Sequence, residues 1–260
     1  MRTAYLTGLA SPNAVLSTLI ITTVLAWALV LSIHWTSHAG GEFTDEVALW
    51  ILMTIGMMAP SAIPMVKTFH RLSTDLDQSS KQSTPTIVFG VAYLIVWGGY
   101  AVVAAFLQDT MRTLMIIDDQ MKFAVPAISG IFLICAGLFQ WSGAKHACLS
   151  KCRSPLGFLI GYYEPGLAGA FQVGVRHALF CIGCCWLLML LVWSGGMMNL
   201  VWMALLTTLV VAEKTMPKGL WVARAAGIAF TVLGVAQISL GADDTAYYFD
   251  LMSSICGWSA

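Results

Sequence analysis

The chain has 260 residues, 58% of them hydrophobic and 10% charged, with 13 basic residues balanced by 13 acidic ones. Soluble domains carry about 25% charged residues, so this composition excludes an ordinary soluble protein and points to an integral membrane protein. Zero net charge leaves no basic footprint for nucleic acid.

A membrane span takes about 20 largely apolar residues. Seven stretches approach this, so the expected fold is all-α: a polytopic transmembrane bundle forming one domain over residues 1–260. The first span falls near Ala14–His34. It is long enough to cross and lacks a small-residue cleavage site, so it reads as a span rather than a signal peptide. The second covers about Val47–Phe69 and contains Pro60 and Pro64; the third lies near Thr86–Leu107; the fourth runs from about Phe123 to Trp141. An insert follows over about 142–176, too long for a tight turn. Its second half, GYYEPGLAGAFQVGVRH, suits an interfacial helix on the inner leaflet. The fifth span covers about His177–Trp193, the sixth about Asn199–Ala212 and the seventh about Leu220–Leu240.

Basic residues set the orientation. Of the 13, only Arg112 and Lys122 fall on one side of this arrangement. The rest place the N-terminus and the insert in the cytoplasm and the C-terminus outside, as expected for a multi-pass protein of a bacterial inner membrane. The acidic residues Glu42, Asp45, Glu46, Asp109, Asp118, Asp119, Asp243, Asp244 and Asp250 gather on the outer side.

Several groups carry metal-ligand chemistry. The second span holds Met53, Met57, Met58 and Met65. Thioether sulfur suits Cu(I), although methionine also fills gaps in cores. Pro60 and Pro64 free backbone carbonyls that need partners inside the bundle. In the insert, Cys148 and Cys152 are one helical turn apart, among Lys145, His146, Lys151 and Arg153. Neighbouring cations favour the thiolate.

The fifth span opens with RHALFCIGCCWLLM. At about 100° per residue, His177, Cys181 and Cys184 share one helical face and Cys185 borders it. Thiolates and imidazoles bind soft or borderline metals, and a polar cluster at bilayer depth is costly and functional by default. The competing reading is that these cysteines pack as small hydrophobes. Glu213 and Lys214 close the sixth span. Glu213 is expected to support a ligand such as His177 from behind, with an interfacial ion pair reaching water as the plainer alternative. His34 and His38 read as interfacial polar residues and His70 as a loop histidine.

These blocks resemble a bacterial family of predicted metal-binding integral membrane proteins, a domain of unknown function numbered 2182. The matching pieces are Trp50-x-x-Met53 through Met57-Met58-Ala59-Pro60, Cys148-Leu-x-x-Cys152-Arg153-Ser154-Pro155, and Gly174-x-Arg176-His177 through Cys181-x-Gly183-Cys184-Cys185-Trp186-x-Leu-Met189. Asn199-Leu-x-Trp202-Met203 and Glu213-Lys214 also match. The resemblance covers roughly Trp50 to Gly234 and implies metal binding without naming a reaction. Two positions depart from it: Gly56 stands where alanine is common, and the run before Cys148 lacks a tyrosine-glutamine-proline pattern.

The expected function is binding and handling of a soft metal. Copper(I) is the expected cargo and zinc the alternative. The expected ligands are His177, Cys181, Cys184, Cys185 and Met57 or Met58, with Cys148 and Cys152 receiving the ion. The expected partners are the lipid bilayer, a metal-donor or acceptor protein and subunits of a membrane complex. A metal- or thiol-dependent membrane oxidoreductase is one alternative, since CIGC is a C-x-x-C pair. A helix-bundle subunit with packing cysteines is another.

Overall fold

A computed structural model describes residues 12–36, 43–76, 84–118, 120–197 and 199–255, and side chains over 17–32, 43–74, 84–118, 120–197 and 199–239. The expectations for His38, Glu42, Asp119 and the side chains of His34, Asp243, Asp244 and Asp250 lie outside the described residues. The described residues form ten helices: α1 (Pro12–Thr36), α2 (Phe43–Leu76), α3 (Thr84–Thr113), α4 (Pro126–Phe139), α5 (Gly143–Arg153), α6 (Pro155–Tyr162), α7 (Gly166–Leu190), α8 (Val192–Gly195), α9 (Leu200–Thr215) and α10 (Gly219–Ile255). Apart from one isolated bridge between Ile117 and Phe123, they contain no extended pairing. The fold is all-α, as composition and hydropathy require.

Four helical stretches are long and apolar enough to cross a membrane: Phe43–Thr74, Thr84–Thr113, Gly166–Gly195 and Gly219–Ser239. They correspond to expected spans two, three, five and seven. The fourth expected span is shorter than foreseen. It ends at Phe139, and the chain bends by 63° into α5. The sixth is the 16-residue α9, and the described apolar part of the first is Ser17–Ser32.

The insert differs from expectation. No separate interfacial helix leads up to His177. Gly166, at φ +81°, turns the chain out of Pro165, and α7 then runs unbroken past Cys185. The cause is packing: Gly169, Ala170, Val173 and Gly174 form a small-residue face that is buried. A Cβ on Gly174 would stand 2.5 Å from the Phe89 carbonyl oxygen, so α3 and α7 touch backbone to side there. Small residues at such crossings let apolar helices approach closely. As a result, the His177–Cys185 segment lies in the middle of a long helix rather than at its mouth.

The same device joins α4 to α10. A Cβ on Gly130 would meet the Gly234 carbonyl at 2.7 Å, and one on Gly137 would meet the Gly227 carbonyl at 2.7 Å. On the other flank, α1 is fastened to α2 through proline chemistry. Pro60 has no N–H to offer the carbonyl one turn earlier, at Gly56. That carbonyl accepts from Trp27 Nε1 at 3.2 Å. Toward the N-terminal end of α2, Gln108 Oε1 accepts from both Trp50 Nε1 and Trp193 Nε1 at 3.0 Å. This knot ties α2, α3 and α8 and sets the register of the core. Large apolar residues on α3, among them Ile87, Val91, Ile95 and Val102, face outward.

Candidate metal centre

The middle of α7 presents His177, Cys181, Cys184 and Cys185 to the interior, and all four are buried. Their spacings of four, three and one residues put them on one inward stripe. Cys181 is the hub. Its sulfur lies 3.1 Å from the Tyr93 hydroxyl on α3 and accepts from Lys214 Nζ on α9 at 2.9 Å. Its carbonyl accepts from Cys184 at 3.1 Å and from Cys185 at 2.7 Å. Cys185 also points at Met58 Sδ on α2, 3.6 Å away.

Helix α5 adds the third sulfur source. Cys152 is buried beside Cys181 and Cys184. Cys148, one turn earlier and half-buried, lies over Gly183, where a Cβ would come within 2.7 Å of its sulfur. Gly183 therefore has a packing reason: the absence of a side chain lets α5 lay its cysteine turn against α7. All the described cysteines are free thiols.

His177 sits one turn before Cys181, between aromatic rings. Phe89 and Tyr93 stack against it with centroids 5.9 and 5.5 Å away, and Phe158 meets it edge-on at 5.7 Å. Both ring nitrogens are buried without a hydrogen-bond partner among the described residues. An imidazole stripped of partners costs about 1–3 kcal/mol, so its retention needs a reason.

Glu213 and Lys214 take different roles from those foreseen. Glu213 does not bond His177. Its Oε2 pairs with Lys145 Nζ at 2.8 Å, and its Oε1 accepts from Gln140 Nε2 at 2.9 Å. This buried knot clamps α5 and the end of α4 to α9. Lys214 does not reach water but enters the sulfur cluster, with Nζ 3.0 Å from Ser61 Oγ and 4.0 Å from Met58 Sδ in addition to Cys181. Sequence reasoning passed over Lys214, Ser61 and Tyr93 as site residues. A lysine ending an apolar helix looks like an interfacial anchor, and only the burial of its side chain reveals otherwise.

Of the two candidate methionines, Met58 makes the contacts to Cys185 and Lys214. Met57 is equally buried and packs in the core. The cluster is built of pairwise contacts: among the described residues, no three His, Cys, Asp or Glu side chains are disposed to grip an ion together.

Residues 47–237 match the model of a protein family described as copper chaperone, PpoB2. The chain belongs to this copper chaperone family. No curated protein and no solved structure matches it. The sequence resemblance implied metal binding without a metal, and the family specifies copper. The matched segment contains every sulfur donor of the cluster. For a copper chaperone the donor set is chemically apt, since thiolates and thioethers select Cu(I) over harder ions.

Proposed function

We propose that this chain is a membrane-embedded copper carrier that holds Cu(I) on the inward stripe of α7. Cys181 and Cys184 are the principal ligands, with Cys152, Cys185 and Met58 completing a sulfur-rich shell. Cys148 receives the ion, and His177 supplies a nitrogen donor at the inner wall. The observation that carries this reading is the meeting of soft donors from α2, α5 and α7 in one buried place, beside an imidazole whose nitrogens have no hydrogen-bond partner among the described residues. An apolar bundle has no packing need for so many adjacent thiols and a stripped histidine. The shell must rearrange to close on an ion, as suits a protein that must also release its cargo.

The long apolar helices lie in a bacterial inner membrane, with the N-terminus and the α5 turn on the cytoplasmic side. Cys148, the least buried thiol of the cluster, is where a donor or acceptor protein exchanges the metal. Copper is preferred to zinc because sulfur dominates the donor set. The test is metal content of the protein purified in detergent and reconstituted with Cu(I) under anaerobic conditions. The wild type binds copper. Cys181→Ser with Cys184→Ser abolishes binding, His177→Ala weakens it, and Cys135→Ser, on the exposed face of α4, leaves it intact. Unchanged copper in the Cys181→Ser, Cys184→Ser variant eliminates this site.

A further inference from the structure

The least expected member of the cluster is a cation. Lys214 Nζ lies within the sulfur shell, 2.9 Å from Cys181 Sγ, 3.0 Å from Ser61 Oγ and 4.0 Å from Met58 Sδ. An ammonium has three N–H donors, and each has one of these partners. Among the described residues no carboxylate pairs with it, because the adjacent Glu213 is engaged by Lys145. A buried charge is tolerated only when it is paired. The one acidic group that Lys214 touches among the described residues is the Cys181 thiol, so the donors that would hold the ion also hold a fixed cation.

We infer that Lys214 is a fixed positive charge that selects a monovalent cargo. The inference rests on the copper reading above and adds the determinant of its selectivity. With Cys181 and Cys184, the principal ligands, bound as thiolates and the other sulfur donors neutral, a Cu(I) site carries one surplus negative charge, and the ammonium cancels it. The same pair around Zn(II) is already neutral, so the ammonium then leaves a surplus positive charge in a medium of low dielectric. The sulfur-rich donor set favours Cu(I) only in part, since zinc also accepts cysteine and histidine. A charge held against the ligands sharpens the distinction. Ser61 keeps the ammonium in place: its hydroxyl donates to the Met58 carbonyl at 2.8 Å, which leaves its oxygen lone pairs facing Lys214.

The experiment is an equilibrium competition between Ag(I), a redox-inert stand-in for Cu(I), and Zn(II) on protein in detergent. Bound metals are counted by mass spectrometry, and thermal melting reports folding. Lys214→Gln keeps hydrogen-bond donors and loses the charge, Lys214→Met loses both, and Lys214→Arg keeps the charge. In Lys214→Gln and Lys214→Met the preference for Ag(I) over Zn(II) falls on the order of 100-fold, through gained zinc affinity; Lys214→Arg retains the wild-type preference. A wild-type ratio in folded Lys214→Gln overturns the inference and leaves the copper site standing. An Arg variant that falls with the neutral ones also overturns it, because shape rather than charge would then matter. A wild type that binds no Ag(I) overturns the copper reading and the inference together.

Discussion

The Lys145–Glu213 pair offers the sharpest test of how the cluster is held together. Lys145 is fully buried and Glu213 nearly so, with Nζ and Oε2 2.8 Å apart. Changing Lys145 to Met leaves a buried carboxylate supported only by Gln140 Nε2 at 2.9 Å. Stranding one partner of a buried pair costs about 3–5 kcal/mol, roughly 100-fold or more in the folding equilibrium. Replacing both partners, as Lys145→Met with Glu213→Leu, removes the charge problem and is expected to recover most of that loss. The assay is reversible unfolding in detergent and denaturant, followed by tryptophan fluorescence. It is combined with alkylation of Cys152, which becomes accessible when α5 detaches from α9. The single variant should react faster and the double variant should react near the wild-type rate. A cost below about 1 kcal/mol for Lys145→Met, the range of an exposed pair, would refute the claim that this ion pair clamps α5. A double variant as unstable as the single would refute it equally.

Other outcomes follow from the same geometry. Met58→Leu keeps volume and apolarity yet should lower Cu(I) affinity, while Met57→Leu should leave it unchanged; competition with a Cu(I) chelator separates the two. Gly137→Val places a side chain against the backbone of Gly227 and Thr231 and should destabilise α4 against α10 by at least about 1–3 kcal/mol, whereas Gly98→Ala, with nothing within 4 Å, should not. In intact cells, a membrane-impermeant thiol reagent should miss Cys148 until the cytoplasmic side is opened; labelling from outside would reverse the proposed orientation.

Much of this architecture was legible from hydropathy and spacing. Uninterrupted apolar runs define α2, α3, α7 and the start of α10, because in a chain this poor in charge only long helices can satisfy the backbone. The stripe from His177 to Cys185 followed from helical period alone, and the structure keeps all four on the buried face. The proline argument anticipated a freed carbonyl on α2, though not that Trp27 would take it. What the sequence left open is interhelical. The start of α7 was misread because Gly169 and Gly174 look like loop or interfacial residues until Glu164 is folded back on the first and α3 is packed on the second. The separation of Met58 from Met57 depends on rotation of α2, which periodicity does not set within the apolar stretch around the two methionines. The approach of Cys152 to Cys181 and Cys184 requires the 63° turn between α4 and α5, and no local signal gives its direction.

Glu213 and Lys214 illustrate why neighbouring charges need not be partners. Adjacent residues on a helix point about 100° apart, so an acid and a base side by side address different surfaces. Here the acid faces α5 and neutralises Lys145, while the base faces α2 and α7 and enters the sulfur shell. Had the two neutralised each other, α9 would need no further polar contact and Lys214 would be a simple anchor. Because Glu213 is spent on the clamp, Lys214 takes its partners from Ser61, Met58 and Cys181 instead. The clamp that positions Cys148 and Cys152 and the cation that faces Cys181 are thus consecutive residues of one helix. A displacement of α9 would move both at once. The coupling gives a direct physical route by which a displacement of α5 alters the environment of Cys181.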